Sequence, residues 1–591
     1  MLTADTTHLN YTSLLRESKR RDYSACDRTL RLAVLSDAAV PQLVPLLRVL
    51  LARKGVRAEV YLAEYDSIEL EVFNPSSQLY AFAPQAVVFL HALNALRFRY
   101  YRQNGERSRF AEDTAEKISS LWDTFQARSS AVILQSNFML PYERPFGNFD
   151  HKAPESFYPT VMRLNSMLVE RARARTNVLL NDIEALSSYV GRKRWGDERL
   201  WTLAKAFCAL DHLPLVAQNI VDILLSNLGH VVKCVVLDLD NTLWGGVIGD
   251  DGVEGIAIGP FGEGEPFHRL QHYLLDLKRR GIMLTVCSKN EHDTALAPFR
   301  SHPDMVLRPD DFAVFVANWG PKPDNIRHIK EELNIGFDSM VFLDDNPFER
   351  QLVREVLPDV IVPELPEDAA DYVRAISELN LFEVTSFSEE DRRRADLYRA
   401  NAEREQLQAG FSDISDYLRS LDMRITMQRF DAFHLPRIAQ LIQRSNQFNL
   451  TTRRYTAGEC EAMMREEGCI PLYVSLSDRF GDNGLISVII LRLRPPVFDI
   501  DTWLMSCRVL GRGVEQFTMN RVVELALGHG CEAIVGTYLP TAKNTMVKEF
   551  YAQFGFEISQ RGEQGETRWV LEVGRYEPRT AYMTECQVAG A

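Results

Sequence analysis

Apolar and polar positions alternate along this chain in blocks that read as strand, helix, strand. Short apolar runs at residues 30–35, 58–63, 86–90, 131–135 and 177–180 have the length and residue types of buried strands. Helical stretches, such as 40–54 and 110–128, lie between them. Strand alternating with helix predicts a parallel sheet with helices on both faces. The rhythm restarts at residue 231. A strand over 231–238 leads into a glycine-rich excursion, 245–264, and a helix over 266–280. Strand 283–288, a helix through Phe299, an apolar segment at 305–308, helix 324–333 and strand 339–344 follow. Three prolines between 358 and 368 mark a loop. Residues 389–408 carry Arg and Glu on most faces and read as a solvated linker helix. Beyond them, β segments at 424–428, 472–477, 484–493 and 498–505 and a helix over 514–529 form a third region. Residues 577–591 read as a disordered tail. The predicted division is 1–230, 231–385, a helical linker 386–414, 415–576, and the tail.

Bulk properties narrow the class. A chain of 591 residues exceeds what one hydrophobic core supports, so several domains are expected. Its net charge of −14 argues against nonspecific binding to nucleic acid or to an anionic membrane. Residues 1–22 are polar and mixed in charge, without the apolar core of a signal peptide. The most apolar helix candidate, 40–51, is short and interrupted by Arg48, so no membrane span is predicted. Nine cysteines are scattered without paired metal spacing, as in reduced cytosolic proteins. The expectation is a soluble, cytoplasmic, multidomain α/β protein.

The strongest chemical signal is Asp238-Leu-Asp-Asn-Thr-Leu-Trp-Gly-Gly-Val247. Two carboxylates two residues apart at a strand end point the same way, and strand carboxyl ends are where open α/β sheets build sites. Ser288 ends the next strand, Lys322 precedes a helix, and Asp344-Asp345 ends a later strand. In phosphoryl transfer Asp238 suits a nucleophile and Asp240 a general acid/base. Thr242, Ser288 and Lys322 suit the phosphoryl oxygens. Asp238, Asp240, Asp344 and Asp345 offer the hard oxygen ligands that Mg2+ prefers. Any one of these motifs alone reads as a helix cap or a turn. Four in this order on an alternating sheet resemble the haloacid dehalogenase superfamily.

The wording narrows the resemblance further. Asp238 through Gly252, Cys287-Ser-Lys-Asn290, Phe342 through Arg350, Ser445 through Tyr455, Arg479 through Gly484 and Ser506 through Arg512 are similar to the FkbH-like proteins. That family is associated with polyketide assembly. The resemblance implies that glyceryl is taken from 1,3-bisphosphoglycerate, dephosphorylated, and delivered to a phosphopantetheinylated acyl carrier protein. It implies a third region resembling GNAT-type acyltransferases, with Arg508-Val-Leu-Gly-Arg-Gly513 as a loop opening a helix. Backbone N–H groups there, at Gly511 and Gly513, suit a phosphate. The stretch Asn544 through Phe556 resembles the second half of that fold.

Cys507 is the candidate acyl nucleophile, since positive charge and a helix N-terminus favour a thiolate. A buried strand cysteine is the bland alternative. The other cysteines read as structural or surface thiols. Asn446, Gln447 and Asn449 suit a hydroxy-acyl group or a pantetheine arm, and Arg453, Arg454, Arg479 and Arg508 suit substrate phosphates. His434 is a possible base, though a lone histidine there more often lies on the surface.

The first region resembles an SGNH-type hydrolase with its chemistry missing. Leu35-Ser-Asp-Ala38 puts Ala38 at the nucleophile position, and Asp197-Glu-Arg-Leu200 lacks the Asp-x-x-His dyad. Asn137 keeps hydrogen-bonding capacity. A catalytically silent module for docking or substrate enclosure is expected. The predicted architecture is therefore an SGNH-like three-layer domain, a haloacid dehalogenase-like parallel sheet and a GNAT-like domain. The predicted function is a bifunctional glyceryltransferase/phosphatase acting with an acyl carrier protein. The alternative is a stand-alone Mg-dependent phosphatase of a small metabolite with an acetyl-coenzyme A-dependent third domain. A noncatalytic scaffold is disfavoured by the intact acidic set.

Overall fold

The computed structural model describes residues 10–586 except 27, 104–106, 154, 388–403, 405, 406, 409, 542 and 564. The predicted linker helix falls largely outside the described residues. The described residues form two compact units, divided between Leu228 and Gly229.

The first unit is a five-stranded sheet. Its strands are β1 (Arg28–Ser36), β2 (Val56–Leu62), β3 (Ala86–Leu90), β4 (Val132–Ser136) and β5 (Val178–Asn181). They run parallel in the order β2-β1-β3-β4-β5. All five residues of Ala-Val-Val-Phe-Leu in β3 are buried, which is why the run is continuously apolar rather than alternating. One face packs under helices Leu43–Ala52 and Leu213–Asn227, the other under Phe110–Gln126 and Phe157–Arg173. This is the three-layer arrangement expected.

The second unit holds two sheets. The smaller has β6 (Cys234–Leu237), β7 (Met283–Ser288), β8 (Phe312–Ala317) and β9 (Met340–Leu343), parallel in the order β8-β7-β6-β9. Period 2 divides its side chains: Val235, Leu237, Leu284, Val286, Val341 and Leu343 enter one core, and Cys234, Val236, Met283, Cys287, Met340 and Phe342 the other. The apolar segment 305–308 is not a strand of this sheet. The Gln271 side chain accepts from the backbone N–H groups of Val306 and Leu307, so that segment packs into the core without pairing.

The larger sheet comprises β10 (Met423–Arg429), β11 (Phe448–Asn449), β12 (Cys469–Asp478), β13 (Gly481–Arg494), β14 (Val497–Met505), β15 (Ala533–Tyr538), β16 (Glu557–Arg561), β17 (Thr567–Glu572) and β18 (Met583–Glu585). Its order is β16-β17-β15-β14-β13-β12-β10-β18, antiparallel except for the β14/β15 and β10/β18 pairs. An antiparallel meander whose fourth long strand turns parallel to the next is the mixed α/β topology expected of a GNAT-like domain. β14 pairs with β15 only over Val497–Ile500, and β11 pairs with the far end of β14 at Leu504 and Met505. The tail reading needs correction: Met583–Glu585 pair with Met423–Ile425, and Cys586 N–H donates to the Ile425 carbonyl. Unpaired backbone at the edge of β10 recruits the segment despite its weak apolar pattern.

Candidate active site

β6 delivers the first acid. Asp238 directly follows it, and its N–H donates to the Leu343 carbonyl of β9, 2.9 Å away, so the two strand ends close on each other. Asn241 then turns the chain with φ +53°, and its side-chain oxygen accepts from Gly246 N–H. On the neighbouring strand ends stand Ser288, finishing β7, and Asp344 and Asp345, following β9. Lys322 begins helix Lys322–Leu333, which follows β8.

These groups converge. The Lys322 ammonium lies 2.9 Å from Asp238 Oδ1 and 2.5 Å from Asp344 Oδ2, and is only 3% exposed. Carboxylate oxygens of Asp238, Asp344 and Asp345 all fall within 4.8 Å of one another. Three carboxylates facing one ammonium leave two negative charges uncompensated when ionised. That deficit, with three hard oxygen donors, fits a divalent cation such as magnesium. Burial pushes the Asp238 carboxyl up to about 6, with Lys322 opposing and Asp344 reinforcing the rise. Asp344 is raised by burial against the pull of Lys322, and Asp345 by burial and the Asp238 charge. Burial works against the Lys322 ammonium, but Asp238 and Asp344 outweigh it and hold its pKa above the ordinary lysine value.

Asp240, expected as a fourth carboxylate ligand, is not among the three carboxylates that converge. Its Oδ1 accepts from Trp244 Nε1 and Ile248 N–H, both at 3.0 Å, and its Oδ2 from Asn290 Nδ2 at 2.8 Å. Three donors hold its carboxylate in one orientation. Thr242 also differs from expectation. It is fully buried, and its hydroxyl accepts from the Asp345 backbone N–H at 3.1 Å and donates to Asp345 Oδ1 at 3.4 Å, so it braces that residue. Ser288 is buried, with Asn290 Nδ2 3.2 Å from its hydroxyl.

Reasoning from sequence missed the bracing groups. Asn290 sits two residues beyond Ser288 and ties it to Asp240. Arg350 donates to the carbonyls of both Asp344 and Asp345, at 2.9 and 2.6 Å, and pairs with Glu364. Asn290 and Arg350 both lay inside the quoted motifs, and that is the signal that could have found them.

The residues expected around an acyl group fare differently. Cys507 is half-buried and starts a short 3-10 turn, Cys507–Val509, after β14. Its carbonyl accepts from the side chain of Asn334, 3.2 Å away, at the C-cap of the helix that Lys322 begins. Lys543 and Asp338 form a second link between the two sheets' lobes. Asn449 is wholly buried: it donates to the Ser445 carbonyl and accepts from Thr452 N–H. Asn446 accepts from Arg454, which also bonds the Ile442 carbonyl, and Arg453 pairs with Asp501. Gln447 is half-buried in the same loop. Arg479 bonds the Ser420 carbonyl and stacks on Phe480. Arg508 bonds Ser506 Oγ. His434 pairs with Asp431 and Tyr473.

The glycine loop is also engaged from within. Gly511 and Gly513 have φ of +74° and +86°, and Gly513 caps helix Val514–Gly528 as predicted. The N–H of Gly511, however, donates to Glu515 Oε1 at 3.3 Å. A carboxylate of this chain thus sits where a phosphate was expected. Asn449, Asn446 and Arg453 likewise have partners within the fold.

Comparison with known proteins gives the family. The model of the "FkbH, N-terminal domain" matches residues 31–225. No curated protein matches the sequence. A solved structure of the N-terminal part of the protein BF1531 from Bacteroides fragilis, containing a phosphatase domain complexed with Mg, is 37% identical. It covers 64% of this chain and 100% of its own, with a TM-score of 0.61. The chain belongs to the FkbH-like family. The ribosomal-protein-S18-alanine N-acetyltransferase from Escherichia coli also matches, at 11% identity over 25% of this chain and 94% of its own, with a TM-score of 0.21. Among the described residues of this FkbH-like protein, no helix is long and apolar enough to cross a membrane.

Proposed function

We propose that this FkbH-like protein is a phosphatase coupled to acyl transfer: it takes glyceryl from 1,3-bisphosphoglycerate, removes phosphate, and loads an acyl carrier protein. The observation that carries the phosphatase half is the cluster of buried Asp238, Lys322 and Asp344 with half-buried Asp345 at adjacent strand ends. Asp238, Asp344 and Asp345 would hold Mg2+, which supplies charge neutralisation at the phosphoryl oxygens. Asp238 attacks phosphorus while Asp240 protonates the departing hydroxyl oxygen. Asp240 then takes a proton from water, which attacks the aspartyl-phosphate, releases phosphate and regenerates Asp238. Lys322 and the Ser288 hydroxyl stabilise the equatorial oxygens. The oriented Asp240, gripped by Trp244, Ile248 and Asn290, supports its assigned role.

Acyl transfer is assigned to Cys507. Its thiolate attacks the acyl-phosphate carbonyl, phosphate leaves, and the thioester passes to the carrier protein's phosphopantetheine thiol. The Asn334 contact supports the coupling, because one helix reaches from Lys322 to the Cys507 turn. At 1.5 Å per residue that helix spans about 18 Å, so the acyl group travels between the two chemistries. The Glu515 carboxylate at Gly511 argues against the alternative of an open coenzyme A phosphate cradle.

Incubation with 1,3-bisphosphoglycerate and a phosphopantetheinylated carrier protein, read by intact mass, tests the proposal. Glyceryl on the carrier is expected from the wild type, and phosphoglyceryl species from Asp238→Asn. A Cys507→Ala protein that loads the carrier normally eliminates the thioester step.

A further inference from the structure

The first unit carries a cavity of about 240 Å3 at the carboxyl edge of its sheet. In the order β2-β1-β3-β4-β5 the chain reverses its direction of winding between β1 and β3, and open α/β sheets bind ligands at that crevice. Asp37 follows β1 and His91 follows β3. His91 lines the cavity and is 6% exposed. Its Nδ1 lies 3.4 Å from Asp37 Oδ2. Asp37, 2% exposed, also takes Ala92 N–H at 2.6 Å and Arg99 at 3.1 Å. Asp37 therefore fixes the imidazole ring, and in the neutral tautomer with Nδ1–H toward the carboxylate, Nε2 keeps its lone pair. His91 Nε2 is buried and has no hydrogen-bond partner among the described residues.

A second lining residue repeats the pattern. Arg192 donates from one terminal nitrogen, Nη2, to both Glu184 and Ser188, while its Nε is buried without a hydrogen-bond partner among the described residues. A buried polar group left unpaired is costly, so two belonging to residues that line one cavity ask for an explanation. One is an acceptor and the other a charge-assisted donor. Trp195, Trp201 and Phe207 supply apolar wall. No hydroxyl or thiol nucleophile is among the lining residues apart from the phenol of Tyr142, in keeping with Ala38 at the end of β1.

We propose that this cavity is a ligand-binding site for a small hydroxylated anion, whose hydroxyl donates to His91 Nε2 and whose anionic oxygen accepts from Arg192 Nε. The site is independent of the phosphatase cluster and of Cys507. It gives the catalytically silent module expected from the sequence a specific task, the recognition of a hydroxy acid or a hydroxylated phosphate.

Titration calorimetry on the full chain tests this with three probes: D-glycerate, glycerol phosphate, and propionate, which lacks the hydroxyl. At least one hydroxylated probe is expected to bind at least ~10-fold more tightly than propionate, because a site built for a hydroxyl rejects the analogue without it. Glycerate and glycerol phosphate separate a carboxylate from a phosphate as the anion. His91→Phe, which preserves the stack on Phe138, and Arg192→Met should each weaken that binding ~10-fold or more. Hydrolysis of p-nitrophenyl phosphate should stay at the wild-type rate in both. No binding of either hydroxylated probe, equal binding of propionate, or wild-type affinity in a folded Arg192→Met protein would each overturn the proposal. Loss of carrier loading with intact probe binding would instead strike only the glyceryl-transfer reading.

Discussion

Replacing the nucleophile should make the metal-free protein more stable while abolishing its phosphatase chemistry. Asp238 is buried, and its carboxyl is raised from 3.8 to about 6. At about 1.36 kcal/mol per unit, ionising it inside the fold costs about 3 kcal/mol more than in the unfolded chain. The folded state therefore holds a proton between pH 4 and 6 that the unfolded state releases. Stability contributed by the protonated form is present below pH 4, falls as pH rises to 6, and is absent above it. Asp238→Asn keeps the shape and cannot ionise, so it escapes this loss. Lys322 retains Asp344 at 2.5 Å as its partner. In EDTA at pH 7.5 the amides of β6 should open on the order of a hundredfold less often in Asp238→Asn than in the wild type, read by hydrogen exchange. At pH 4 the two should match. Saturating Mg2+ should shrink the difference, since a cation at 100 times its Kd adds about 2.7 kcal/mol to the protein that keeps its ligand. Faster exchange in Asp238→Asn at pH 7.5, or the same difference at pH 4, would refute the electrostatic reasoning.

Other perturbations follow from named contacts. Arg350→Met frees the carbonyls of Asp344 and Asp345, and Mg2+ affinity measured by activity against free metal should fall about 10- to 100-fold. Asn290→Ala removes the donor holding Asp240 Oδ2, so kcat should drop about tenfold or more, with KM nearly unchanged. Gly246→Ala places a methyl 2.5 Å from Asp251 Oδ2 at φ +94°, and thermal unfolding should show a loss of about 1–2 kcal/mol.

Local pattern was enough for much of this protein. β3 and β7 lie where the apolar runs placed them, and helix Lys322–Leu333 and β14 are within two residues of expectation. The sequence expectations lack six strands: β8, β15 and β17 are apolar or β-branched runs that pattern alone could have found, β11 is two residues long, and β16 and β18 carry no such signal. β16 is the polar run Glu-Ile-Ser-Gln-Arg with a mostly exposed face, and β18 is three residues long. Such segments become strands because a neighbouring edge offers unpaired backbone groups, which no local window contains.

The same division holds at the candidate site. The sequence by itself determined that Asp238, Asp240, Ser288 and Asp344 meet at one edge, because parallel strands put their carboxyl ends together whatever fills the loops between them. Only the tertiary structure decided which partner each group takes. Thr242 turned out to brace Asp345, 103 residues away, Asp240 is gripped by Trp244 and Asn290, and Glu515 fills the glycine loop. His91 and Asp37, 54 residues apart, form a pair that no spacing rule announces. A hydrogen bond or ion pair depends on separations of a few ångström, and several groups of the right chemistry compete for each one. Residue type and order state what chemistry is available; packing selects among the competitors.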